Sequence, residues 1–317
     1  MMLNRNAEAL FWVGRYMERA ENHARLIDVH YHIQHEGDFD HEEHKWARLV
    51  DAFGARGDYT QQFEAFTQKD VLSFITLDRG YGNSLFCCIS QGRSNLRTLR
   101  EKLPSELWDV LNGFYLWLGD KKVDDIIAES PHLFFKQVKE KTATFYGIQQ
   151  SVMLRENEWN FIEMGRCLER AENTARILQS VLSAIREDQA PAYPYLLAVL
   201  KSVSGYQAFR KFYADGVSVE HIMEFLIVND FFPRSIHFTF SQLEKHLAGI
   251  EALRELRTPR ERAIRQVSKV TAELACLERE DMALPKVQPL LDQVTRSCQS
   301  LGQVMASAFF RIGEASA

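Results

Sequence analysis

The sequence predicts an all-α fold: an internally duplicated helical bundle, about six helices per half, with the halves related by a pseudo-twofold axis. Three observations predict it. A twelve-residue stretch occurs twice, GRYMERAENHAR at 14–25 and GRCLERAENTAR at 165–176, with nine positions identical. Apolar residues recur at helical spacing almost throughout, and few runs alternate as a strand would. The 16 glycines and 8 prolines fall mostly between the periodic segments.

The two copies lie 151 residues apart in a chain of 317. The same offset sets Phe74–Leu85 over Phe225–Ile236, with Phe74 on Phe225, Ser84 on Ser235, and Gly54 on Gly205. A long constant period marks a unit copied in tandem. The halves are therefore read as 1–151 and 152–317, joined by a helix-to-helix turn near Ser151–Asn157.

Helices are expected in the first half over 5–33, 41–53, 68–77, 83–102, 105–118 and 123–151. The first carries Val13, Tyr16, Met17, Ala20, Ala24 and Ile27 on one face. The second follows from apolar periodicity. The third runs in step with 218–228, since TQKDVLSFI (67–75) lies over SVEHIMEFL (218–226). Asn83–Ser84 offers an N-cap to the fourth. Pro104, with Ser105 and Glu106 behind it, opens the fifth. The sixth rests on periodicity alone. The second half gives 154–187, 192–213, 218–228, 234–256, 259–280 and 286–312. Met164, Cys167, Leu168, Ala171, Ala175 and Leu178 repeat the apolar face of the first helix, and Pro233 suits the first turn of 234–256.

Composition narrows the function. Hydrophobic content of 46% and charged content of 26% are those of an ordinary globular protein. A net charge of −5 supplies no broad basic field, which disfavours general nucleic-acid binding. No apolar run approaches a membrane span, and the N-terminus lacks a basic-then-apolar signal pattern. Cys87, Cys88, Cys167, Cys276 and Cys298 are odd in number and form no CxxC pair, so reduced thiols in a cytoplasmic protein are expected.

The repeated motif is the main functional clue. On a helix, Arg15, Glu18, Asn22 and Arg25 share one face, flanked by Arg19 and Glu21. Arg166, Glu169, Asn173 and Arg176 repeat it, flanked by Arg170 and Glu172. A solvated face of i,i+4 ion pairs needs charge but not identity. Two other readings remain open. The helices can meet near the pseudo-twofold axis with Glu and Arg interlocked in a buried network, small Gly14, Gly165, Ala20 and Ala171 permitting close approach. Alternatively, the arginines hold a carboxylate or phosphate and a glutamate acts as base.

A second stripe breaks the symmetry. Arg93, Arg97 and Arg100 align on the fourth helix, where the other half has Glu244, Ala248 and Glu251. Together with Arg234 they are candidate anion-binding residues; drift on solvent faces is the plainer reading. Six of the ten histidines cluster at His23, His30, His32, His35, His41 and His44. HEEH at 41–44 is not the HExxH zinc motif. His30, His32 and His35 could supply adventitious ligands, but no metal site or cofactor is assigned. There is no Gly-rich phosphate loop, GxSxG elbow or Cys/His nucleophile pair, and Cys87–Cys88 is expected to pack.

Four segments carry a resemblance: AEALFWVGRYMERAENHARLI (7–27), GRSNLRTLREKLPSELW (92–108), NFIEMGRCLERAENTARIL (160–178) and FLIVNDFFPRSIHF (225–238). They resemble the alpha-E family, bacterial all-helical proteins of unsettled function, over nearly the whole chain. That family's fourth helix usually carries an Arg-Glu-Asn run. Here Arg93 is followed by Ser94 and Asn95, so any contact made by that glutamate is lost or altered. Alpha-E genes commonly neighbour those of a circularly permuted ATP-grasp ligase and a transglutaminase-like protein. The resemblance thus implies a role in making, modifying or trimming an amide-linked peptide or metabolite.

Two function classes follow. The preferred one is a non-catalytic helical scaffold that partners an ATP-grasp-type ligase or presents its peptide or amino-acid-like substrate. The alternative is an enzyme of amide or amino-acid chemistry, with Glu18 or Glu169 as acid/base and Arg15, Arg25, Arg166 and Arg176 holding carboxylates. A homo-oligomer is compatible with either.

Overall fold

The computed structural model describes residues 4–35, 42–188, 192–214, 216–251 and 257–310. Among them every regular element is helical, with fifteen α-helices and no strand. None of the described helices is long and apolar enough to cross a membrane. The chain divides into two compact units. One runs from Tyr16 to Met153; the other combines the chain up to Arg15 with everything from Leu154 onward.

The 16–153 unit contains the rest of α1 (Asn4–His35), α2 (Glu42–Ala52), α3 (Arg56–Tyr59) and α4 (Gln68–Leu72), which continues as a π-turn over Ser73–Leu77. Then come α5 (Leu85–Arg97), α6 (Ser105–Gly119), α7 (Val123–Glu129) and α8 (Pro131–Val152). Helix α5 packs on α6, α6 on α8, and α4 against α7. Leu85, Phe86, Cys88, Ile89, Gly92 and Leu96 of α5 are buried at the spacing of one helical face. Trp46, Tyr59, Phe74, Phe114, Phe135 and Phe145 are its largest fully buried side chains.

The other unit is built on α9 (Asn157–Asp188). It continues through α10 (Tyr193–Ser202), α11 (Tyr206–Phe212), α12 (Val219–Ile227), α13 (Ile236–Ala248), α14 (Arg257–Ala275) and α15 (Leu284–Met305). Helices α10, α13 and α15 all pack on α9. The apolar stripe Met164, Cys167, Leu168, Ala171, Ala175 and Leu178 is buried, and so are Glu163, Glu169, Glu172, Asn173 and Thr174 on its other sides. This stretch of α9 is buried on most of its sides, so packing contributes most of its stability.

Several local geometries recur 151 residues apart. Ser84 and Ser235 each cap a helix, accepting from the N–H groups of Cys87 and Phe238, both at 3.1 Å. Each also donates its hydroxyl six residues back, to the carbonyls of Asp78 and Asn229. Thr67 and Ser218 cap α4 and α12 in the same manner. Phe74 stacks on Tyr81 with centroids 4.4 Å apart, and Phe225 on Phe232 at 4.6 Å. Ahead of these markers the spacing is 150. Gly54 takes a left-handed φ of +65°, and the matching left-handed residue is Ser204 at +52°, not Gly205. Ala55 N–H donates to Val50 and Gly205 N–H to Leu200, again 150 residues apart. At the Thr67 and Ser218 caps the offset is 151 again.

Helix boundaries differ from the sequence expectation where local chemistry intervenes. The helix expected over 83–102 ends at Arg97, where Thr98 donates its hydroxyl and its N–H to the Asn95 carbonyl. Arg100 therefore sits in the following turn, outside the helix. The 123–151 segment is two helices, because Pro131 disfavours helical geometry at Ser130. The 192–213 segment breaks at Ser204–Gly205. The short α3 was not expected, and 234–256 ends as helix at Ala248, with 252–256 outside the described residues.

Candidate functional site

The second copy of the motif lies on α9 and meets the start of α1. Gly14 and Gly165 seat the two backbones directly against one another. A Cβ on Gly14 would lie 2.0 Å from the Ile162 carbonyl oxygen, and one on Gly165 1.9 Å from the Phe11 carbonyl oxygen. Only glycine permits that approach.

Beside the crossing, Arg15 bridges two glutamates of α9. Its Nε donates to Glu169 Oε2 at 2.6 Å and its Nη2 to Glu172 Oε2 at 2.7 Å. The other oxygen of Glu172 accepts from Arg176 Nη2. Arg15 is 12% exposed and Glu169 2%, so these charges are largely withdrawn from water. Arg15 also stands 5.6 Å from the Trp12 ring centre. One turn earlier on α9, Arg166 Nη1 reaches both oxygens of Glu163 at 3.3 Å. Burial and the neighbouring Glu172 push the Cys298 thiol up to about 12, so it stays protonated against this network.

In the first copy Glu18, Glu21 and Asn22 are buried, and Glu21 accepts from Arg25 one turn on. The flanking arginines anchor loops instead. Arg19 Nη1 donates to Asn83 Oδ1 at 2.6 Å, and Arg170 Nη1 to the Pro233 carbonyl at 3.3 Å. Thr174 adds a bond from its hydroxyl to the Arg234 carbonyl at 3.0 Å. The glutamates and asparagines of both motif copies are thus buried, while Arg176 is half exposed.

Two arginines of the stripe share one aromatic ring, Trp108. Arg93 Nε is held by Asn112 Oδ1 at 2.8 Å, and its guanidinium lies over Trp108 and Tyr115 at 5.1 and 4.6 Å. Arg100, in its turn, stacks on Trp108 at 4.6 Å, while Arg97 is exposed at the end of α5. Arg234 lies in the turn before α13, in the other unit. Glu244 accepts from Ser268, and the Glu251 backbone is clasped by Asn157 through bonds of 2.8 and 3.1 Å. All five cysteines are free, with Cys88, Cys167 and Cys298 buried.

Among the histidines, His23 packs on Phe53 with ring centres 4.5 Å apart. Burial lowers His30 to about 4, against the backbone hydrogen bond to Lys45, which raises it. His41 and the side chain of His35 lie outside the described residues. His32 instead joins Asp28 and His132, a grouping the sequence reading missed. The i,i+4 pair Asp28/His32 was legible on α1, but its third member is a hundred residues away.

Comparison with known proteins matches this architecture to the Alpha-E family, described as a predicted alpha-helical domain with a conserved ER motif, over residues 2–310. The chain carries Glu–Arg at 18–19 and 169–170, inside the two motif copies. It is similar to an uncharacterized protein of Mycobacterium bovis, 26% identical over 258 residues, covering 76% of this chain and 29% of the relative. An uncharacterized protein of Mycobacterium tuberculosis shows the same identity and coverage. The chain therefore spans less than a third of the length of these relatives. No solved structure matches it. With its family match running almost from end to end, the chain belongs to the Alpha-E family.

Proposed function

We propose that the chain is a non-catalytic helical partner of an ATP-grasp-type amide or peptide ligase, built from two copies of one ancestral unit and working in the cytoplasm. The state of Glu172 carries the reading. Both its oxygens are taken, one by Arg15 and one by Arg176, and Glu169 Oε2 is taken by the same Arg15. An acid/base carboxylate has to offer an oxygen to its substrate. Two of these oxygens are engaged in holding α1 to α9, and a third in an ion pair within α9. The backbone contacts at Gly14 and Gly165 likewise suit a rigid framework more than a ligand pocket.

Other observations support parts of the proposal. The caps, stacks and hydrogen bonds that recur 151 residues apart favour tandem duplication. The mycobacterial relatives join a similar segment to much more chain, which suits a module acting beside another domain. Free cysteines favour a reducing compartment. The ligase, a transglutaminase-like protein and a peptide-like ligand come from the resemblance to the family.

The test is affinity capture of the tagged full chain from native lysate, followed by sedimentation of the purified pair. Co-sedimentation with an ATP-grasp-type ligase is expected. If the purified proteins sediment apart, the partner role is wrong. Turnover of an amide-linked peptide by the chain alone, lost in Glu18→Gln or Glu169→Gln, would establish the enzyme reading instead.

A further inference from the structure

The unit spanning 16–153 holds a second polar cluster, on residues given no role above. Asp28 and His32 are one turn apart on α1; His132 is the second residue of α8, and Lys139 lies two turns further along it. His132 Nδ1 lies 2.8 Å from Asp28 Oδ1 and 2.9 Å from His32 Nε2. The third edge, His32 Nε2 to Asp28 Oδ1, is 3.6 Å. Asp28 is buried, while the two imidazoles are about half exposed.

Protons satisfy this triangle poorly. A ring nitrogen carries one hydrogen or one lone pair. If His132 Nδ1 carries the hydrogen, Asp28 and His32 must share it. If it does not, its lone pair confronts the Asp28 carboxylate. A cation at the centre serves all three atoms at once. Three ligands at about 2.0–2.1 Å in a tetrahedral shell lie roughly 3.3 Å apart, and the three edges found here straddle that spacing. Two imidazoles with one carboxylate suit a borderline late first-row ion; calcium and magnesium prefer six or more oxygens. Lys139 Nζ holds the outer oxygen of Asp28 at 2.6 Å, fixing the carboxylate with Oδ1 turned inward. That ammonium and the positive start of α8 both oppose a cation, so binding weaker than in a structural zinc finger is expected.

We propose that Asp28, His32 and His132 form a three-ligand site for a zinc-class divalent transition metal, tying α1 to α8 with its fourth position open to solvent. The site stands independently of the partner role.

The test uses the full chain, stripped with chelator and titrated with Co(II), then with Zn(II) as competitor. One ion per chain is expected, with the visible absorption of four-coordinate cobalt bleached by zinc. His132→Ala or His32→Ala, both at half-exposed positions, should weaken binding at least about tenfold with unchanged circular dichroism. A His35→Ala, His41→Ala control should bind as wild type, and zinc should raise Tm in wild type and control only. Unchanged titration in His132→Ala overturns the proposal, as does loss of binding in the control or no cobalt spectrum in wild type.

Discussion

Replacing Gly14 by alanine measures what the glycine crossing contributes. In an ordinary helix interior this change stabilises by about 1 kcal/mol, because alanine has the better propensity. Here the added methyl meets the Ile162 carbonyl oxygen at 2.0 Å and the Arg166 nitrogen at 2.9 Å. Both are backbone atoms, so no rotamer change relieves the clash. Ordinary contact begins at 3.4 Å, so α1 and α9 must part by about 1.4 Å. Overpacking of this kind costs about 1–3 kcal/mol. Parting also stretches the Arg15 bonds to Glu169 and Glu172, now 2.6 and 2.7 Å, and hydrogen bonds to charged groups contribute about 1.5–3 kcal/mol each. After the propensity gain, a net loss of about 2–4 kcal/mol is expected. Gly165→Ala should cost as much, since its methyl would meet the Phe11 carbonyl at 1.9 Å. The double variant should lose less than the sum, because one separation accommodates both methyls. Urea denaturation of the four proteins, followed by far-ultraviolet circular dichroism, reads all three quantities. A single variant as stable as wild type would refute the close approach, and full additivity would refute a shared crossing.

Arg15→Leu should destabilise by about 3–5 kcal/mol, because it strands Glu169 and Glu172 without their bridging guanidinium; adding Glu169→Gln should recover part of this, and a loss below about 1 kcal/mol in urea would remove Arg15 from the framework. His30 is lowered by burial to about 4, below an unfolded value near 6.5. The unfolded chain then binds the proton more tightly, so stability is complete above about pH 6.5 and declines as pH falls toward about 4. His30→Gln should flatten that decline in thermal melts, and an unchanged pH slope would show that His30 is not the group responsible.

The helical class was legible because periodicity runs through nearly every segment, and the caps at Ser84 and the start of α6 after Pro104 followed from side-chain chemistry alone. Boundaries set by backbone geometry were harder. Ser130 before Pro131 carried a readable signal for a break. The left-handed turn at Ser204 did not, since serine seldom adopts it, and the constant offset drew attention to Gly205 instead. In the motif, residue identity was informative but its surroundings were hidden. A face of Arg, Glu and Asn looks solvated in one helix, and its burial is set by residues distant in the sequence. Hydrogen-bond partners separated by a hundred residues or more, such as Arg15 with Glu172 or Asp28 with His132, leave no local trace.

The reciprocal seating of Gly14 and Gly165 also bears on how the chain is made. The start of α1 finds its place only against a stretch synthesised 151 residues later. At translation rates of about 5–20 residues per second, that is roughly 8–30 s during which the start of α1 lacks its partner. Contacts of such long sequence separation form late and slowly. The apolar stretch around Leu10, Phe11 and Val13, sequestered once folded, is therefore exposed on the ribosome until that partner arrives.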